Sequence, residues 1–214
     1  MKLYATRTGT RRNNEALDRL GFGRVISHIA KPSPSDLKRR YGVDNGAWTA
    51  FQAKTQWIAP EWQDFVWKYG SRADWVVAPD IVANPYSLRL TESWLGWLEH
   101  LPREVLILIA VQDGMTPSEV SRYLGGRRGI FVGGSTEWKD KTIRQWSQLA
   151  RELGCWIHVG RVNTLQRLQL CQLCGVDSCD GTGASMFALH AAKMARWNQQ
   201  VSLPVLALNG TANG

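Results

Sequence analysis

No stretch of this chain is apolar for long enough to cross a bilayer. The longest run, Val105-Leu106-Ile107-Leu108-Ile109-Ala110-Val111, falls far short of the roughly 20 residues a membrane helix needs. It suits a strand buried on both faces of a parallel sheet. Met1 to Thr10 is polar and strand-like and lacks the apolar centre of a signal peptide. The expectation is a soluble, cytoplasmic protein with no membrane partner. No G-x-G-x-x-G follows the first strand pattern, and no P-loop, H-E-x-x-H or Ser-His-Asp motif is written anywhere in the chain. Those absences argue against a dinucleotide fold, a P-loop nucleotidase and a zincin.

Acids are in short supply: 18 Asp and Glu face 26 Lys and Arg, leaving a net charge of +8. The pI near 9.6 favours an anionic partner, of which nucleic acid is the usual one. Hydrophobic residues make up 44% and charged residues 21%, enough to bury a core. Cysteine is also scarce, with Cys155, Cys171, Cys174 and Cys179 only. Cys171 and Cys174 form a C-x-x-C, which can be half of a zinc site or a redox pair. They also lie three apart in an apolar helical pattern, where they need only pack. No metal site is predicted. Tryptophan, by contrast, is abundant at eleven; most will pack, and some can stack on bases.

Eight apolar segments read as strands, most followed by a helical pattern. They are Lys2 to Thr6, Arg24 to Ile29, a short segment leading into Asp44, Trp75 to Ala78, Val105 to Val111, Gly129 to Val132, Cys155 to Val159 and Val176 to Cys179. The helices between them are expected near 15–20, 35–41, 60–69, 86–100, from Thr116, 140–153, 164–174 and 184–197. A long loop through Trp57 precedes the third helix. Strict alternation means right-handed βαβ units and a parallel sheet. Eight repeats predict a compact (β/α)8 TIM-like barrel spanning residues 1–200, with 201–214 as a loose tail. A doubly wound open sheet is the structural alternative.

In such a barrel the carboxyl ends of the strands carry the chemistry. Asp44, Asp80, Gln112, the Gly133-Gly134 pair, His158 and Asp180 all fall at those ends. Asp180 closes Gly175-Val176-Asp177-Ser178-Cys179-Asp180 and can be nucleophile, base, metal ligand or helix N-cap. Asp177 alternates with it and is the weaker candidate. Asp44 opens Asp44-Asn45-Gly46-Ala47-Trp48, which is equally a turn composition. Gln112 needs a partner for its amide: a heterocycle edge, or nearby backbone. Gly133 and Gly134 leave backbone open to a ligand, or simply turn the chain.

The order and wording of these motifs resemble the tRNA-guanine transglycosylases. They are more similar still to the small deazapurine DNA-modification transglycosylases of phages and bacteria. The resemblance runs from Asp44 to Asp180. It implies a (β/α)8 barrel that exchanges guanine in nucleic acid for a 7-deazaguanine base through a covalent aspartyl intermediate. It makes Asp180 the nucleophile and Asp44 the general base, with Trp48 stacking on the substrate. Asp80, Gln112, Gly133, Gly134 and His158 would bind the base, and no cofactor is implied. Ala47 and Asp113 depart from the family's glycines. No Cys follows Cys179, so the family's C-terminal zinc module is absent. That absence favours DNA over tRNA, and the host cytoplasm if a phage encodes the chain. Arg127, Arg128, Lys139, Lys141, Arg161 and Arg167 are the expected phosphate contacts. The same acids also suit a nucleosidase or glycosidase acting on free nucleosides or nucleotides. If they only cap helices, the chain is a non-catalytic nucleic-acid-binding barrel.

Overall fold

The computed structural model describes residues 1–7, 10–30, 32–186 and 188–200. Eight parallel strands close into one barrel in chain order. They are β1 (Lys2–Thr6), β2 (Gly23–Ile26), β3 (Tyr41–Val43), β4 (Trp75–Val77), β5 (Leu106–Val111), β6 (Arg128–Val132), β7 (Ile157–Val159) and β8 (Ser178–Asp180). The seam pairs Lys2 with Ser178, Leu3 with Cys179 and Tyr4 with Asp180. The helices are α1 (Arg11–Arg19), α2 (Ala47–Ala53), α3 (Ala59–Tyr69), α4 (Ser87–Leu98), α5 (Pro117–Val120), α6 (Thr136–Glu152), α7 (Leu165–Cys174), α8 (Thr182–Met186) and α9 (Ala188–Gln200). The (β/α)8 expectation is met. Among the described residues no helix is long and apolar enough to cross a membrane. The expected tail, 201–214, lies outside the described residues.

Strand alternation sorts the core into two compartments. Leu3, Ala5, Val43, Val76, Ile107, Ile109, Ile130 and Val132 belong to the larger buried cluster, which includes the apolar faces of the helices. Tyr4, Trp75, Val77, Leu108 and Ala110 form a separate cluster, with Val25, Phe131 and Trp156 packed on it. These residues fill the barrel. A narrow ring of short strands accepts such bulk only where a neighbour contributes no side chain. A Cβ on Gly42 would lie 2.1 Å from the Trp75 ring, and one on Gly23 would lie 2.5 Å from Tyr4.

Several local expectations give way to side-chain chemistry. The second strand ends at Ile26, not Ile29, so His28 and Ile29 belong to the rim. The helix expected from Ser35 is one 3-10 turn, Asp36–Lys38, without a Ser35 cap bond. Buried Asp36 instead accepts from the Ser33 amide and hydroxyl, 2.8 and 2.7 Å away, and tightens the chain into a turn. The loop through Trp57 contains α2, entered through left-handed Gly46 and opened by Asn45 Oδ1 accepting the Ala47 amide at 2.9 Å. The sixth helix starts at Thr136 because Ser135 caps it. Cys171 and Cys174 are buried in α7 and unpaired. Burial pushes the Cys171 thiol up to about 12.

Overpacking a filled interior costs about 1–3 kcal/mol, occasionally more. Gly42→Ala, driven into the face of Trp75, is expected to lower unfolding stability by about 2–3 kcal/mol in a denaturant titration. An unchanged midpoint would contradict this description of the interior.

Candidate active site

Asp44, Asp80 and Asp180 sit at the carboxyl ends of β3, β4 and β8, at one mouth of the barrel. The Asp44 amide still donates to Ile26 O at 2.8 Å, so Asp44 extends the β3 ladder by one residue. Its Oδ2 accepts from the Gly46 amide at 3.0 Å, so the turn reading of Asp-Asn-Gly is also correct. Burial pushes Asp44 up to about 7, and the charges of Asp180 and Asp80 add to the rise. Burial likewise pushes Asp80 up to about 6.

Asn45 joins two of these strand ends. Its amide donates to Ala78 O at 2.7 Å and to Asp80 Oδ1 at 2.6 Å. The sequence reading treated it only as a turn residue. A polar side chain beside a strand-end acid was the available signal. Gln112 is buried, and its amide is fully engaged by the loop after β4. Oε1 accepts from Ala83 at 2.7 Å, while Nε2 reaches Ile81 O at 2.8 Å, Ser87 Oγ at 3.0 Å and Asp80 Oδ2 at 3.3 Å. It braces the Asp80 loop rather than presenting an open edge. Of the two partners anticipated for it, the backbone is the one found.

Asp180 turns toward the barrel axis. Its Oδ1 lies 2.9 Å from His158 Nε2 and its side chain is 13% exposed. The helix-cap alternative for Asp180 is taken by another residue. Asn163 Oδ1 accepts the Gly183 amide at 3.0 Å, at the start of α8. His158 is fully buried, below the mouth rather than in it, with its ring stacked on Phe131 at 5.0 Å. Asp177 lies at the amino end of β8, where its carboxylate accepts from the Ile157 amide at 2.9 Å. It is remote from the mouth.

The mouth is bridged from opposite sides. β3 and β7 stand four apart in an eight-membered ring. Arg161, just after β7, lays its guanidinium 4.1 Å over the ring of Trp48, on α2 after β3. Trp48 stacks on its other neighbour Phe51 at 5.9 Å and 29°, and both rings are exposed. Arg161 adopts a left-handed backbone, φ 60°, and bonds Gly134 O. Gly134 is itself left-handed, and a Cβ there would strike Asp113 Oδ2 at 2.6 Å. Asp113 holds the Ser135 amide and hydroxyl, each at 2.5 Å. The Gly133-Gly134 turn therefore serves a latch between β5 and α6. His28, which the sequence places inside the second strand, packs edge-on against Trp57 at 6.4 Å. Burial lowers its proton affinity, and among the described residues its Nδ1 has no hydrogen-bond partner.

Three expected phosphate contacts are not open cations at the mouth: two lie at the far end and one is buried. Arg127 and Arg128 stand at the amino end of β6, the far end of the barrel, where both pair with Glu99. Strand direction decides this, since they begin β6 rather than end it. Lys139 is 3% exposed, with Nζ 2.5 Å from Gly160 O. Burial pushes it down to about 8, and the Arg161 charge acts the same way. Lys141 is exposed and paired with Glu137 at 2.7 Å, and Arg167 is paired with Asp140 at 3.1 Å. Lys139, Lys141 and Arg167 belong to the beginnings of α6 and α7, at the same end of the barrel as Arg161, and Arg161 is the one whose guanidinium reaches Trp48.

No protein-family model and no curated protein matches the chain. Solved structures do. RipC from Yersinia pestis superposes with a TM-score of 0.57 at 8% identity over 96% of both chains. The HpcH/HpaI aldolase from Desulfitobacterium hafniense gives 0.55 at 9% identity, covering 96% of this chain and 95% of its own. A Haloferax volcanii malate synthase gives 0.57 at 12% identity over 99% of this chain and 77% of its own. At such identities the likeness shows the TIM-barrel fold and nothing finer. None of the three is a transglycosylase.

The raised affinity of Asp44 for its proton carries a stability cost. It is absent below the ordinary carboxylate range, grows as pH rises, and is complete above about 7. Asp44→Asn is therefore expected to stabilise the protein at pH 8, by up to about 4 kcal/mol at 1.36 kcal/mol per unit, and to change little at pH 4. Melting curves at the two pH values check this. A destabilised variant at pH 8 would contradict it.

Proposed function

We propose that this chain is an enzyme: a base-exchange transglycosylase that replaces guanine in nucleic acid, with DNA favoured, by a 7-deazaguanine base. The observation that carries the reading is the pairing of two unlike carboxylates at one mouth. Asp180 has one oxygen held by His158, and among the described residues no hydrogen bond falls on the other. Asp44 has its proton affinity near neutrality. The six ordered motifs support the same assignment.

The chemistry follows from those two environments. Breaking an N-glycosidic bond builds positive charge at the anomeric carbon, which a carboxylate stabilises and then traps. Asp180 Oδ2 bonds that carbon as the carbon–nitrogen bond breaks. The departing guanine takes a proton, and Asp44, near 7, is a source for it. The incoming base gives a proton back to Asp44 as its own ring nitrogen attacks the carbon and expels Asp180. Protons and electron pairs balance over the cycle, so no cofactor is required. The target nucleotide must be unpaired or flipped for its sugar to reach a carboxylate at the barrel mouth. Trp48 and Arg161 are in face-to-face contact at 4.1 Å, so a base would stack on Trp48 in place of the guanidinium.

A second reading, hydrolysis of free nucleosides, is favoured by one observation. Of the six basic residues expected to hold phosphates, Arg127 and Arg128 pair with Glu99 at the far end of the barrel and Lys139 is buried against Gly160 O.

Incubation with labelled guanine and DNA, tRNA or a free nucleoside separates these readings. Label is expected to enter a polymer, DNA before tRNA, and Asp180→Ala should lose on the order of 10⁴-fold in rate. The rate should show a limb near pH 7 that Asp44→Asn removes. Turnover of the free nucleoside without label in either polymer would replace the proposal with the second reading.

A further inference from the structure

We propose that Ser178 and His158 are positioning residues for Asp180, forming a one-way chain of hydrogen-bond donors that ends on Asp180 Oδ1 and leaves Oδ2 free to attack. This inference rests on Asp180 being the nucleophile. The chain is set by β-strand spacing. Trp156 and His158 are two apart at the seventh strand, Ser178 and Asp180 two apart on the eighth, and His158 pairs in register with Ser178. All four side chains therefore point into the barrel one above the other.

For a neutral ring the direction of each bond follows from what each group can do. An indole N–H only donates. Trp156 Nε1 lies 2.9 Å from Ser178 Oγ, so Oγ accepts there. The hydroxyl hydrogen then has His158 Nδ1 as its acceptor, 2.8 Å away. A ring nitrogen that accepts is bare, so the ring hydrogen is on Nε2, and Nε2 donates to Asp180 Oδ1 at 2.9 Å. The opposite tautomer would set a bare Nε2 against a carboxylate oxygen with no hydrogen between them. The ring cannot turn to escape this: besides stacking on Phe131 it contacts Trp75 at 4.7 Å and Tyr4 at 5.9 Å.

Ser, His and Asp thus stand in line, but not as in a serine hydrolase. Ser178 is fully buried beneath the imidazole, and the acid is the member that reaches the mouth. Ser178 cannot meet a substrate. The arrangement instead orients a carboxylate, as outer-sphere partners orient metal ligands.

Two measurements test this. The first is long-range proton–nitrogen NMR of the ring-labelled protein at neutral pH, with the His158 signals assigned by His158→Gln. A bare Nδ1 with a protonated Nε2 is expected. A protonated Nδ1 would overturn the donor chain, whatever reaction the protein catalyses. The second is kinetic. His158→Phe keeps a packed ring without a donor, and Ser178→Ala removes the link beneath it. Each should lower kcat by about 10- to 100-fold, the usual cost of losing such a partner, with KM nearly unchanged. His158→Gln, which can still donate, should recover part of the loss. Full kcat in both deficient variants, where Asp180→Ala is inactive, would overturn the positioning role alone. Full exchange in Asp180→Ala would overturn the nucleophile assignment, and the positioning role with it.

Discussion

Trp75, Phe131 and His158 pack ring against ring inside the barrel, with Tyr4 edge-on to Trp75 and His158. This filling depends on glycine: Gly23, Gly42 and Gly160 each leave a place where a Cβ would collide with Tyr4, Trp75 or Phe131. The plug keeps water from the floor of the mouth, and the character of the three acids above it follows. Asp44 and Asp80 lose solvent with few compensating donors, and both hold their protons more tightly. Asp180 has a dedicated donor rising out of the plug itself. On the proposed reading, the same aromatic layer underlies a carboxylate that carries protons and another that acts as the nucleophile.

The loops divide the remaining work. Asn45 and Gln112 spend their amides on holding Asp80 and the loop around it. Asn163 takes over the helix start that Asp180 would otherwise cap. Asp113, Gly134 and Ser135 form a latch whose outer carbonyl steadies Arg161. Arg161 in turn meets Trp48 across the opening. Polar residues that look alike in a motif list therefore fall into two groups. Asp180, Asp44, Trp48 and Arg161 face the opening, while Gln112, Asn45 and Asp113 secure the loops that carry them.

The barrel was legible because eight apolar segments alternate with helical ones, and because acids and glycines follow them at strand ends. Asp44, Asp80 and Asp180 could be placed at one mouth on that basis alone. The pattern does not show which way a side chain spends its hydrogen bonds. Gln112 and Lys139 were misjudged for that reason, one satisfied by loop backbone and the other buried behind Gly160. Arg127 and Arg128 were misjudged because a basic pair beside a strand reads the same at either end. Helix α2 was missed because its start lies in the Asn45 side chain and a left-handed Gly46, not in an apolar period. The Trp-x-His and Ser-x-Asp pairs were in view throughout. Only the register of β7 against β8 brings them into one line.

The central claim is that Asp180 bonds covalently to the sugar. The most direct measurement is peptide mapping by mass spectrometry after rapid denaturing quench of the protein with its nucleic acid, in the absence of any incoming base. The account predicts a sugar-linked adduct on the peptide containing Asp180, lost when guanine or a deazaguanine is added before the quench. An adduct on the Asp44 peptide, or base exchange that proceeds with no adduct at all, would contradict it.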